Sequence, residues 1–422
     1  MQSFPSGLPA PPLADWLKAA HPHGRRHGHV RALRYLAFWL RHPLWLLRNV
    51  RHAGLRASLR RVARLFSHHS AGTAPWGVNV IGFTRGEFGL GEQARSLVRQ
   101  LVAAAIPVRV VSVVLPGQDR FGNPETAALE NEEAGYAINL VVITAERWGF
   151  DAWQLAERVR LSDYTIGYFA WELDRLPAVY ARGARLVDEI WTLSSFCVRA
   201  FSAACPDKIV RVVPPIANTA STVPTQDIGT LPPGAEDGAG AQRLHRFLCM
   251  FDAASHLDRK NPAAVVAAFR RAFPSGREPV SLIIKTHSLP ARTIHPQWRA
   301  VVEAAEADPR IRIDSRLLPR ESIRSLFDSV DTVVSLHRAE GFGLVCHEAL
   351  QYGKGLITTD YGGVLDFLPD NRARLWRIPY RRVRIAPGQY PHSAGLEWAE
   401  PDIAAAAAAM QQAAGIPHAE AS

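Results

Sequence analysis

The segment Thr332-Val-Val-Ser-Leu-His-Arg-Ala-Glu340-Gly-Phe-Gly-Leu-Val-Cys-His-Glu348-Ala-Leu350 decides the fold. It opens on a short β-branched run, Thr332–Leu336, that reads as a buried strand. A Gly-Phe-Gly break follows, and from Leu344 to Tyr352 the apolar residues take helical spacing. Glu340 therefore falls on the loop at a strand's carboxyl end, and Glu348 falls in the next helix. The backbone N–H groups of Phe342–Val345 open that helix and point outward, as a diphosphate requires. Two glutamates eight apart carry little by themselves in a chain with 39 acids among 422 residues. The strand–loop–helix context carries the weight.

The same alternation extends both ways. Upstream, strands are expected at Val78–Phe83, Val108–Leu115, Leu140–Thr144, Tyr164–Phe169, Glu189–Leu193 and Ile209–Val213, with helical patterns between several of them. Residues 217–245 break the pattern with Pro, Gly, Ser and Thr and no apolar periodicity, a linker composition. It resumes with strands at Phe247–Phe251, Val280–Lys285 and Leu356–Thr359 and a helix at Pro262–Phe273. Strands alternating with helices imply doubly wound parallel sheets. The expected organisation is an extension over 1–75, a Rossmann-like domain over 76–216, a linker over 217–245 and a second Rossmann-like domain over 246–422. The alanine run Ala404–Ala409 predicts a terminal helix that crosses back to the first domain. Two such domains facing each other make a cleft, with ligands at the carboxyl ends of the strands.

Two further loops carry chemistry. After the first strand of the second domain comes Asp252-Ala-Ala-Ser255-His-Leu-Asp-Arg259-Lys260-Asn-Pro262, two adjacent cations before a proline-initiated helix. They suit a diphosphate leaving group. With only five lysines against 44 arginines in the chain, a lysine in this place suggests that a compact ammonium is wanted. After the first strand of the first domain comes Arg85-Gly-Glu-Phe-Gly89-Leu-Gly91-Glu92, then Ala94. Gly89-x-Gly91-x-x-Ala94 matches a dinucleotide pattern, but the loop is long and the second strand lacks the terminal acid that holds a ribose. What remains is a set of backbone N–H groups suited to an anion or a sugar hydroxyl.

Together these segments, followed by Gly362-Gly363, resemble the retaining glycosyltransferases of family 4, over about residues 78–370 and in the right order. That resemblance implies the two-domain GT-B fold. It implies that Arg259 and Lys260 neutralise the nucleotide diphosphate and that Glu348 accepts the ribose hydroxyls. Glu340, with the backbone of Gly341, Phe342, Gly343 and Leu344, would hold the donor sugar and phosphate, with Ser255 beside them. Gly89 and Gly91 would close over the donor. Relatives often carry a histidine near the sugar. The comparable stretch here, Tyr168-Phe-Ala-Trp171-Glu172, offers Trp171 and Glu172 on the acceptor side instead. No cofactor and no metal are implied, since cationic side chains and a helix dipole take the place of a divalent ion.

The net charge of +10 is concentrated at one end. Residues 1–75 hold Lys18 and eleven arginines against Asp15 alone, a net +11, so the other 347 residues sum to −1. Apolar residues interleave with these arginines, and Arg34, Arg41 and Arg48 recur every seven residues. Such a basic amphipathic segment, with Phe38, Trp39, Trp45 and Leu47 on its apolar side, suits an anionic membrane surface through residues 25–66. Packing on the main body and nucleic-acid binding are the alternatives, and no nucleic-acid reading module is visible. The cluster His21, His23, His27, His29 reads as solvated rather than metal-binding. The four cysteines form no Cys-x-x-Cys pair, which fits a reducing compartment. No apolar run spans a bilayer and no secretory signal opens the chain, so a cytoplasmic location is expected, peripheral on the inner membrane face.

The expected activity is metal-independent transfer of a hexose, with retention, from a nucleotide-diphosphate sugar to a carbohydrate or lipid-linked glycan. Assembly of a bacterial surface polysaccharide is the expected setting. An epimerase of the same fold and a non-catalytic nucleotide-sugar or nucleic-acid binding protein are the rivals.

Overall fold

The computed structural model describes residues 11–24, 28–66, 75–114, 122–216, 243–287, 295–370 and 373–416. The chain divides into two compact units that meet in sequence between Ile216 and Ala217. Of the expected linker over 217–245, residues 217–242 lie outside the described residues, and its last residue, His245, already opens a strand; the side chains of His21, His23 and His27 also lie outside them.

The first unit begins with four helices, α1 (Leu13–Gly24), α2 (Gly28–Leu40), α3 (Pro43–Ala53) and α4 (Leu55–Phe66). It continues β1 (Val78–Gly82), α5 (Gly89–Ala103), β2 (Val108–Ser112), β3 (Ile138–Val142), α6 (Ala145–Leu155), β4 (Tyr164–Tyr168), α7 (Ala178–Ala184), β5 (Glu189–Thr192), α8 (Ser195–Ala204) and β6 (Ile209–Val212). The six strands form one parallel sheet in the order β2-β1-β3-β4-β5-β6. Strands β1, β3, β4 and β5 are buried along their whole length, which is why apolar residues dominate both their faces rather than alternating. The buried polar side chains Asn79, Asn139 and Thr165 hydrogen-bond one another across β1, β3 and β4.

The second unit runs β7 (His245–Asp252), α9 (Leu257–Lys260), α10 (Pro262–Ala272), β8 (Val280–His287), α11 (Pro296–Ala307), β9 (Ile311–Asp314), α12 (Arg320–Asp328), β10 (Thr332–Ser335), α13 (Leu344–Gln351), β11 (Gly355–Thr359), β12 (Leu375–Ile378), β13 (Tyr380–Arg384), β14 (Glu397–Pro401) and α14 (Ile403–Ala414). Its parallel sheet has the order β12-β11-β10-β7-β8-β9, and β13 pairs with β14 in an antiparallel ribbon. Sequence patterning misses β9, β12 and the ribbon. Strands β9 and β12 are four-residue sheet edges, and β13 is an exposed Tyr-Arg-Arg-Val-Arg run, so none presents the apolar stretch that marks a buried strand. Helix α14 is capped by the Asp402 carboxylate on the N–H groups of Ala404 and Ala405 and closed by Gly415 in the left-handed region. It packs on α10, β11 and β12 of its own unit, and its Ala406, Ala407, Ala409 and Met410 enter that unit's core. The expectation that it crosses back is therefore corrected: small alanine side chains let it lie close on α10.

Both sheets are doubly wound, and each has one place where neighbouring loops leave in opposite directions. In the first unit that place lies between β1 and β3, and in the second between β7 and β10. Ligands of open parallel sheets bind at these points, beyond the carboxyl ends of the strands. The glycine-rich loop follows β1, the Arg259-Lys260 segment follows β7, and the Glu340 loop follows β10.

The amino-terminal helices are not a detachable tail. The aromatic side expected to meet a membrane is turned inward. Tyr35, Phe38 and Trp39 are buried, and α2 packs on α6. The Trp39 indole N–H donates to the Gly149 carbonyl at 2.8 Å, and the Trp148 indole donates to the Tyr35 hydroxyl at 3.0 Å. The Phe38 ring lies where a side chain at Gly149 would stand, 2.4 Å from the position of its Cβ, so this close approach needs glycine. Trp39 meets Trp153 edge-on at 4.8 Å, and Trp45 meets Phe150 at 5.1 Å. Arg31, 3% exposed, donates to Asp188 at 2.7 Å and to the Ser162 carbonyl at 3.2 Å. Helix α1 sets Trp16 against Trp191, with the Arg211 guanidinium over the Trp16 ring. Aromatic area of this kind is worth more against another apolar surface than in water. The physical correction is that Phe38 and Trp39 belong to the core of the first unit.

Replacing Trp39 by alanine should therefore destabilise the first unit by about 3–5 kcal/mol, the range for a buried aromatic truncation. Urea unfolding followed by tryptophan fluorescence measures this, and an unchanged midpoint would return Trp39 to the surface.

Candidate active site

Strands β7 and β10 are neighbours, in register Thr332 to Phe247 and Val333 to Leu248, so the loops beyond them emerge side by side. Their contact is made by charge. The Lys260 ammonium and the Arg259 guanidinium both bind the Glu340 carboxylate, Lys260 by a short hydrogen bond to Oε1 and Arg259 at 3.2 Å from Oε2. Arg259 also donates to the Ala339 carbonyl at 3.1 Å and to the Ser255 hydroxyl at 2.5 Å. Both Arg259 and Glu340 are buried. Burial opposes the charge on Glu340, but Lys260 and then Arg259 outweigh it and hold its pKa down at about 2. Glu340 is thus a carboxylate at every physiological pH. Two cations and one anion leave the cluster a net positive charge, which fits an anionic ligand.

The backbone holds this cluster tightly. His256 (φ 62°) and Asn261 (φ 54°) take left-handed conformations at either end of α9. Asn261 Nδ2 donates to the Leu336 carbonyl at 3.1 Å, and the Arg338 N–H donates to the Arg259 carbonyl at 2.7 Å, which sews the two loops together. Gly362, at φ 92°, passes so close to the Glu340 loop that an added Cβ would stand 2.6 Å from the Glu340 carbonyl. The Gly363 N–H donates to that same carbonyl at 2.8 Å. Gly343, also left-handed, precedes α13, and Phe342 packs on His347 and Phe367. Glu348 is buried one turn into α13.

His337 has a place that residue patterning gave it no role in. It is fully buried between β10 and Tyr361. Its Nε2–H donates to the Tyr361 carbonyl at 2.9 Å, so Nδ1 is the acceptor for the Ser335 hydroxyl at 3.1 Å. Burial pushes its pKa down and keeps it neutral. It props the Glu340 loop against the Tyr361-Gly362 turn. The histidine in Ser335-Leu-His-Arg is a signal that was available. Asn261 and its left-handed turn left none beyond an asparagine before proline.

In the first unit, the glycine loop leads into α5. A Cβ on Gly91 would stand 2.0 Å from the Gly86 carbonyl, so the loop folds back on its own helix only with glycine there. The Arg95 guanidinium donates to the carbonyls of Thr84 and Gly86, at 2.9 and 2.7 Å, and pairs with Glu92. Arg85 pairs with Glu130. These charged residues of the motif hold the loop's shape. At Gly89 a Cβ would meet nothing within 4 Å. Trp171 is turned inward rather than presented: it is 1% exposed, its indole N–H donates to the Arg175 carbonyl at 2.9 Å, and its ring lies 4.5 Å from that of Tyr180. Glu172 is half-buried beside it. All four cysteines are free thiols and buried. Among the described residues, no three His, Cys, Asp or Glu side chains gather as a metal site would need.

Residues 310–385 match the family model described as glycosyl transferases group 1. The matched stretch contains Glu340, Glu348 and Gly362 and stops short of Arg259 and Lys260 on the amino-terminal side. No curated protein matches the chain. Among solved structures, the chain is similar to the trehalose-6-phosphate phosphatase N-terminal domain of Candida albicans, at 10% identity and TM-score 0.47, covering 84% of this chain and 92% of that one. It is similar to a UDP-forming α,α-trehalose-phosphate synthase of Burkholderia xenovorans at 14% identity and TM-score 0.43, over 66% of each chain. It is also similar to the Anabaena protein HepE in complex with UDP and glucose, at 15% identity and TM-score 0.44, over 72% and 86%.

Because Glu340 has a depressed pKa, its contribution to stability is fully present above the unfolded value of 4.5 and is lost as pH falls towards about 2. Glu340→Gln leaves two cations without their counter-charge and should cost about 3 kcal/mol at pH 7. The gap between parent and variant should stay constant from neutral pH down to about 5 and narrow below the unfolded value. Urea titrations at several pH values test this, and a gap that ignores acid would break the charge assignment.

Proposed function

We propose that the protein transfers a hexose from a nucleotide-diphosphate sugar to a carbohydrate or lipid-linked acceptor, with retention at the anomeric carbon. The observation that carries this reading is the Arg259–Lys260–Glu340 cluster, set where the second sheet switches winding and beside the open amino end of α13. The group 1 glycosyltransferase match over 310–385 supports it independently of the cations.

In this reading the bond between the anomeric carbon and the β-phosphate oxygen breaks, and its electron pair stays on the phosphate. Lys260 and Arg259 stabilise that growing charge, and the N–H groups at the start of α13 add theirs. The acceptor oxygen forms the new bond from the same face, and its proton passes to the departing phosphate. Glu340, held as a carboxylate, accepts from sugar hydroxyls and cannot serve as a general acid. Glu348 takes the ribose hydroxyls. Ser255 and the backbone of Gly341, Phe342, Gly343 and Leu344 line the donor. The open space at Gly89 leaves room for a ligand at the first unit's switch point. Acceptor contacts come from Glu172 and its neighbours rather than from the buried indole of Trp171. The positive charge supplied by side chains takes a metal's part, and the setting we infer is assembly of a bacterial surface polysaccharide.

Lys260→Ala should weaken binding of UDP or GDP by about 10–100-fold, the loss of one charge-assisted contact of about 1.5–3 kcal/mol. Isothermal calorimetry measures it, and unchanged affinity for both would remove Lys260 from the site.

The two glutamates should separate. Glu348→Ala weakens the bare nucleotide. Glu340→Gln leaves nucleotide affinity equal or tighter, since it frees the cations, while turnover of the nucleotide sugar drops about 100-fold or more. Matching behaviour of the two variants would merge their roles. EDTA should leave turnover intact, and a strict metal requirement would overturn the metal-independent mechanism.

A further inference from the structure

Helices α2, α3 and α4 pack on one another and on the first unit, yet they leave a second apolar side in water. On α2, burying Arg31, Ala32, Tyr35, Phe38 and Trp39 turns Val30, Leu33 and Leu40 to the opposite side, three and seven residues apart. On α3, Leu44 is 83% exposed and Leu47 lies one turn on, while no residue of that helix is buried. On α4, Leu55 and Leu59 stand out while Ser58 and Leu65 face inward. Leu33, Leu40, Leu44, Leu47, Leu55 and Leu59 are each more than half exposed. A lone surface leucine means nothing, but this set comes from three mutually packed helices.

The charge around these leucines has one sign. Residues 28–66 contain no Asp or Glu. Four of the arginines are matched by acids of the main body: buried Arg31 and half-buried Arg34 by Asp188, half-buried Arg61 by Glu157, and exposed Arg64 by Glu133. Arg48, Arg51, Arg56 and Arg60 are exposed on the same helices as the leucines, and Arg41 is exposed in the turn between α2 and α3. We propose that this outer leucine–arginine side of α2–α4 docks the protein on the surface of an anionic bilayer. Leucines enter the headgroup boundary, and the arginines meet lipid phosphates while their stems lie along the apolar layer. The docking face is thus the reverse of the one that aromatic residues suggest, because Phe38 and Trp39 are consumed by α6. No helix among the described residues is long and apolar enough to cross the membrane, so the contact is peripheral. The inference rests on this surface alone and not on the transfer reading.

The test is sedimentation of the full chain with vesicles of equimolar phosphatidylcholine and phosphatidylglycerol, and with vesicles of phosphatidylcholine alone. The parent should sediment with the anionic vesicles at low salt and be released by high salt. The variant Leu44→Gln, Leu47→Gln, Leu55→Gln, Leu59→Gln should bind at least tenfold more weakly, with an unchanged thermal midpoint, since these side chains are exposed. Neutralising Arg48, Arg51 and Arg56 to glutamine should weaken low-salt binding by about fivefold per residue. The proposal is overturned if the parent ignores anionic vesicles at low salt, or if the leucine variant sediments like the parent. It is overturned equally if light scattering finds a dimer that the leucine variant dissolves while neither form binds vesicles, which would make a second copy the occupant.

Discussion

A carboxylate shared between two cations, buried where two parallel strands part company, organises the second unit. Glu340 could not be charged in that place without Lys260 and Arg259, and neither cation would stay fixed without Glu340. The desolvation of a buried ion is offset only when its partners are close and well oriented. The surrounding backbone is built to that end: the left-handed turns at His256 and Asn261, the glycine that lets the 362 turn approach, and the neutral His337 behind. A nucleotide diphosphate arriving here would find cations already ordered, so little reorganisation accompanies the change of partner.

The first unit is also a doubly wound parallel sheet, but with a different strand order and different chemistry. Its switch-point loop carries glycines and backbone N–H groups, while Arg85, Glu92 and Arg95 are spent on holding the loop. The stability of this unit also depends on the amino-terminal helices. Trp39 and Phe38 pack on α6, and Arg31 neutralises Asp188 just ahead of β5, so the basic extension and the doubly wound domain form one core. The same helices are amphipathic on two sides, one aromatic and one leucine-rich, and a two-sided helix can pack on its own protein and still offer an apolar face to something else.

The alternation of strands and helices, the two glycine-broken loops and the Arg-Lys pair were legible because each is written within a few neighbouring residues. A fully buried parallel strand is made mainly of apolar residues, and a phosphate-binding helix start presents open N–H groups, often after glycine. Period and composition carry that information without any knowledge of distant partners. Short edge strands such as Ile311–Asp314 and Leu375–Ile378 escaped for the converse reason: half-solvated, they owe their form to the neighbouring strand rather than to their own pattern.

What the sequence by itself determined was therefore local: element type, the loops that hold the candidate site, and an amino-terminal segment both basic and apolar. Only the tertiary structure decided which groups meet. It set Glu340 against cations 80 residues away, gave His337 its tautomer, turned Trp171 inward and spent the aromatic side of the extension on α6. The physical reason is that burial and ion pairing are properties of surfaces brought together. An amphipathic helix states that one side must leave water, but the shape and charge of the facing surface determine which side finds a partner and which remains exposed.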